Sequence, residues 1–140
     1  MHIFTFYCIK SHILEKICGY KIILCDISEL KGVKDSLRAL RIENCAKIKD
    51  FSVLEELENL ELLELTGSNV LPSLDFMKGM KSLKTLILKM NVLDGDLSRC
   101  LDLSYVYAKI HRHYNIKDKD LPSGKYYRGN DNIEEYRRLE

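Results

Sequence analysis

The sequence predicts an α/β fold in which short parallel strands stack side by side, each followed by a helical or 3-10 return segment. Two observations carry this prediction. Three segments share one spacing of apolar residues: Leu37-x-x-Leu40-x-Ile42-x-x-Cys45, Leu60-x-x-Leu63-x-Leu65-x-x-Ser68 and Leu83-x-x-Leu86-x-Leu88-x-x-Asn91-x-Leu93. Their starts at 37, 60 and 83 lie 23 residues apart twice, a period at which each unit can add one strand to a curved parallel sheet. Between them, Phe51, Leu54, Leu57 and Leu60, then Phe76, Met80 and Leu83, recur at helical spacing, as segments do that seal one side of a sheet.

Composition sets the outer limits. A chain of 140 residues, 46% hydrophobic and 31% charged, has room for one domain with a core. The formal charge of +1, from 22 basic and 21 acidic residues, argues against a nucleic-acid partner found by bulk electrostatics. The five cysteines, Cys8, Cys18, Cys25, Cys45 and Cys100, are odd in number and irregularly spaced. They cannot form a complete disulfide framework, and a reducing cytoplasm fits them best. Met1 to Ile9 is apolar, but Lys10, His12, Glu15 and Lys16 interrupt it and no positive segment precedes it, so it does not read as a secretory signal. No apolar run reaches the roughly eighteen residues of a bilayer span, so no membrane is expected as partner.

In chain order, Ile3–Tyr7 and Tyr20–Cys25 are rich in strand formers, and Ser11 can cap a short helix between them that Gly19 ends. Phe4/Phe6, Ile22/Leu24 and Leu40/Ile42 then form candidate inward pairs 18 residues apart. Residues 1–36 therefore read as degenerate N-terminal repeats or a cap, since a terminal unit must cover the open end of the core. Ile27, Leu30, Val33 and Leu37 suit a helical or 3-10 return. Residues 37–113 hold about four clear units. In them Pro72 fits a turn off a strand, and Gly67 and Gly95 sit where the backbone turns. The last unit, Leu103-x-x-Val106-x-Ala108-x-x-His111, starts 20 residues after Leu83 and places a small residue at one inward position. Residues 114–140 read as an irregular tail broken by Pro122, Gly124 and Gly129, ending in a short helix from Asp131 whose Ile133, Tyr136 and Leu139 share a face.

The unit Leu37-Arg-Ala-Leu40-Arg-Ile42-Glu-Asn-Cys45, with its two successors, resembles the leucine-rich repeat family, in particular the short bacterial and phosphatase-regulator-like repeats. Cys45-Ala-Lys-Ile48-Lys-Asp50 also resembles the cysteine-containing repeats of F-box adaptor proteins. The resemblance implies a solenoid that binds through its concave sheet face. At the ninth position of each unit a small hydrogen-bonding side chain is expected, because the chain leaves the strand there and buried backbone groups lose ladder partners. Asn91 suits that task best, with Cys45 and Ser68 weaker versions of it.

The residues alternating with the inward pairs form the expected binding surface. They are Ala39, Arg41 and Glu43; Leu62, Glu64 and Thr66; Thr85, Ile87 and Lys89; Tyr105, Tyr107 and Lys109. Arg41, Leu62, Glu64, Thr85, Ile87, Lys89, Tyr105, Tyr107 and Lys109 are the partner-binding candidates. Among them, apolar Leu62 and Ile87 and amphipathic Tyr105 and Tyr107 are of the types that dominate binding energy. Chemistry is poorly supported. His111-x-His113 lacks a third metal ligand, Cys100 and His111 lack the third member of a catalytic set, Asp118 and Asp120 alternate with Lys117 and Lys119, and no glycine-rich phosphate loop exists. The expectation is a non-enzymatic, cytoplasmic protein-interaction module without cofactor or metal. Its alternative is the substrate-recognition or adaptor portion of a larger protein, and an exposed edge strand near Met1 would let two copies pair.

Overall fold

Strand residues alternate between two faces, and that alternation assembles the core. The computed structural model describes residues 3–7, 27–43 and 48–124. Seven strands occur among them: β1 (Ile3–Tyr7), β2 (Ala39–Glu43), β3 (Leu62–Thr66), β4 (Val70–Leu71), β5 (Thr85–Leu88), β6 (Asn91–Val92) and β7 (Tyr105–Ala108). β1, β2, β3, β5 and β7 form one parallel sheet in that order, and β4 pairs with β6 in a second, two-stranded one. The register sets Leu40, Leu63, Leu86 and Val106 side by side, and next to them Ile42, Leu65, Leu88 and Ala108. All eight are buried in one core with Leu54, Leu57, Met77, Met80 and Cys100 from the return segments.

The returns are 3-10 turns, at Ser28–Val33, Ser52–Glu56, Asp75–Gly79, Ser98–Asp102 and Asp118–Asp120. Their shortness decides the helix type. Five residues between buried anchors leave room only for i→i+3 bonds, such as Leu57 N–H to the Leu54 carbonyl and Met80 N–H to that of Met77, each 3.1 Å. Three turns open alike. The Asp50 carboxylate accepts from Ser52 N–H, the Ser73 hydroxyl from Asp75 N–H, and the Asp96 carboxylate from Ser98 N–H, at 2.8 to 3.1 Å. These local bonds satisfy backbone donors that a turn leaves without ladder partners.

Those bonds carry a pH signature. Hydrogen bonds from Ser98, and then from Asn115, hold the Asp96 carboxyl below its ordinary value of 3.8, and bonds from Ser52 do the same for Asp50. A carboxyl lowered on folding stabilises the fold fully above its unfolded pKa and loses that contribution as pH falls through the folded value. Stability should therefore decline with acid below about 4, and Asp96→Asn should flatten part of that decline in acid-titrated thermal melts.

Successive turns also pack closely. A Cβ at Gly79 would fall on the Glu55 backbone carbonyl of the preceding turn. Gly79→Ala should cost about 1–3 kcal/mol through forced separation of the two turns, measured by urea unfolding. At Gly95 a left-handed φ of 71° and contact with the His113 carbonyl both demand glycine.

Two expectations are corrected and a third is extended. β1 pairs directly with β2, setting Phe4 opposite Leu40 and Phe6 opposite Ile42, so no Ile22/Leu24 strand intervenes in the sheet; Tyr20–Cys25 itself lies outside the described residues. The ninth-position task in the second unit falls to Asn69, because β3 is followed by a longer turn. Asn69 is buried and donates to the Ile48 carbonyl at 2.8 Å, whereas Ser68 is exposed; Cys45 lies outside the described residues. The run after Tyr114 is irregular but anchored. Tyr114 is buried, its hydroxyl accepts from Val92 N–H at 3.0 Å, and Asn115 accepts from Leu97 N–H at 2.9 Å. Leu121 is buried, and the chain then runs along β7, with Val106 N–H donating to the Pro122 carbonyl and Ser123 bridging Tyr105. The expected helix from Asp131 lies outside the described residues.

Candidate binding face

The face of the main sheet turned away from the 3-10 turns carries three rows of side chains, set by the register. The first row is Ala39, Leu62, Thr85 and Tyr105; the second is Arg41, Glu64, Ile87 and Tyr107. A third begins with Glu43 and Thr66 at the ends of β2 and β3 and continues past the ends of β5 and β7 as Lys89 and Lys109. It is held by Lys89 N–H to the Leu65 carbonyl at 2.8 Å and Lys109 N–H to the Leu88 carbonyl at 2.9 Å.

The rows divide into a closed and an open half. Leu62 and Thr85 are 0% exposed, Arg41 5% and Glu64 4%, so these four of the nine candidates present no free surface, contrary to expectation. Alternation places a residue on a face; it does not say whether that face meets water. Ala39 and Leu62 are buried yet stand apart from the main core. Beside this apolar pair the Arg41 guanidinium donates through Nε to Glu64 Oε2 at 2.8 Å, and neither side chain is more than 6% exposed. Directly opposed on neighbouring strands, the two charges neutralise each other where water is excluded, the condition under which buried ions persist.

The open half lies over β5 and β7. Ile87, Lys89 and Tyr105 are partly exposed, Lys109 is exposed and Tyr107 is 45% exposed. Lys89 Nζ sits 5.6 Å from the centre of the Tyr107 ring, within reach of a cation–π contact.

The reactive candidates are disarmed by their surroundings. Cys100 is fully buried, and desolvation pushes its thiol up to about 12, so at neutral pH it is a packed thiol and not a nucleophile. His113 Nε2 lies 2.8 Å from the Val92 carbonyl, an acceptor only, so that nitrogen carries the proton and is closed to a metal. Its ring packs edge-on to Tyr114 at 4.8 Å. Among the described residues no group of three His, Cys, Asp or Glu side chains converges as a metal site, and no helix is long and apolar enough to cross a membrane.

No protein-family model matches this chain, and no curated protein or solved structure is significantly similar to it. Sequence reasoning reached Ile87, Lys89, Tyr105, Tyr107 and Lys109 as members of one surface. It missed the Arg41–Glu64 pairing, although opposite charges 23 residues apart in equivalent positions were a visible signal.

Proposed function

We propose that the chain is a solenoid of the leucine-rich repeat type that acts as a non-enzymatic protein-binding module, engaging its partner through the open half of the sheet face. One observation carries this reading: Tyr107, Ile87 and Tyr105 form an aromatic and aliphatic cluster that stays in contact with solvent on a sheet whose other half is closed. Aromatic side chains with few rotors bring large contact area at low entropic cost, which is why they dominate binding hot spots. The equal 23-residue period and the aligned Leu40, Leu63 and Leu86 support the repeat reading; stacked units share one core because a unit this small cannot offset the entropy of ordering itself.

The test is a pull-down from the native cytoplasm with wild type, a Tyr107→Asp/Ile87→Asp variant and a Leu93→Asp control, whose side chain is exposed elsewhere. Proteins retained by wild type and control should be lost with the face variant by at least about tenfold, the scale of one hot-spot truncation. Equal recovery by all three would defeat the proposal.

A further inference from the structure

The open half of the face is also a site of uncompensated positive charge, and we infer that its partner is an acidic peptide segment bearing a large apolar side chain. This rests on the binding-face reading above and names the chemistry that face would take. Most lysines and arginines around the 3-10 turns are matched: Lys31 and Lys34 meet Glu56, Lys78 and Arg99 meet Asp75, Lys81 meets Glu58, and Lys84 meets Glu61, while Lys49, Lys117 and Lys119 have no such carboxylate among the described residues. On the closed half of the sheet Arg41 is matched by Glu64. Lys89 and Lys109 differ in standing side by side on the open sheet face. Among the described residues neither has a carboxylate within ion-pair distance, and the same holds for Arg112 in the turn after β7.

Geometry sharpens the point. Lys89 and Lys109 follow β5 and β7 at equivalent places and extend the ladder between them, so they are neighbours roughly 5 Å apart at the backbone. Like charges opposed across adjacent strands repel and raise the free energy of the empty face. The nearest acidic member of their row, Glu43, stands two strands from Lys89, about 10 Å away at the backbone, and is half-buried. A ligand carboxylate placed between the two ammonium groups would relieve the repulsion. Its apolar neighbour would then rest on Ile87 and the Tyr107 ring, which lie one row over. Complementary charge at a rim of this kind chooses the partner and speeds encounter, while the apolar contact supplies most of the affinity. The near-neutral chain as a whole leaves that choice to this local cluster.

A displayed library of random dodecapeptides, selected on the whole protein, on Tyr107→Ser and on Lys89→Gln/Lys109→Gln, tests this. All three side chains reach solvent, and matching thermal melts would establish that the variants fold. The selected pool should be enriched in Asp and Glu flanking a Leu, Ile, Phe or Tyr, should need Tyr107, and should weaken with added salt. A synthetic peptide from that pool should bind roughly fivefold more weakly for each lysine replaced, the scale of one screened surface charge pair. Tyr107-dependent peptides of neutral or basic composition would overturn the charge inference while sparing the binding face. Acidic peptides that bind the double glutamine variant undiminished would overturn it too. A pool indifferent to Tyr107, or no enrichment at all, would defeat both.

Discussion

Leu63→Ala should destabilise the protein by about 2–5 kcal/mol, the span seen when a buried leucine is truncated and its surroundings collapse only in part. Leu63 is fully buried in β3, the central strand of the five, and its register partners are Leu40 on one side and Leu86 on the other. A cavity there strips contacts from three consecutive strands at once, and from the 3-10 turns beneath them. Domains of this size have only about 5–15 kcal/mol of net stability, so the variant should show a large drop in urea midpoint. Leu93→Ala, at a side chain 68% exposed, should change stability by no more than about 0.5 kcal/mol. A melting temperature for Leu63→Ala within about two degrees of wild type would contradict the placement of Leu63 in the core.

Arg41→Met should cost about 3–5 kcal/mol, because it abandons the Glu64 carboxylate in a space from which water is excluded. The physical content lies in the comparison with the double variant. Arg41→Met/Glu64→Leu removes both charges, keeps roughly the same volume, and should recover most of the loss or exceed wild type, since the attraction at 2.8 Å mainly offsets the desolvation of the two ions. A double-mutant cycle from urea unfolding therefore should give a large coupling between the two sites. A single-variant cost below about 1 kcal/mol would mean that the pair behaves as an exposed surface bridge. The pair sits in the same row as Ile87 and Tyr107, so a loss of binding in the stable double variant would extend the proposed binding surface to the closed half.

Much of the architecture could be read before any coordinate. The inward pairs from Leu40/Ile42 to Val106/Ala108, the shortened step of 20 residues into the last strand, and the apolar stripe from Phe51 to Leu60 are all where the spacing put them. Period-two alternation in strands and a spacing of three in the 3-10 returns are consequences of backbone geometry, and geometry of that kind is written directly in the order of apolar residues. The turn openings Asp50-Phe-Ser52, Ser73-Leu-Asp75 and Asp96-Leu-Ser98 also recur every 23 residues, a local hydrogen-bonding pattern that close inspection of the chain could have caught. Asn69 could not be chosen over Ser68 in the same way. The choice depends on how far the chain travels after β3 before β4 forms, which neighbouring strands decide.

By itself, then, the sequence determined the parallel sheet from β2 to β7, the register of those strands and the inward pairs that line its core, because each follows from the chain's own repeat distance. Only the tertiary structure decided that Arg41, Leu62, Glu64 and Thr85 are closed off while Ile87, Lys89, Tyr107 and Lys109 stay open to solvent. Exposure is a property of what lies against a face, and the alternation of residues along a strand carries no information about that neighbour.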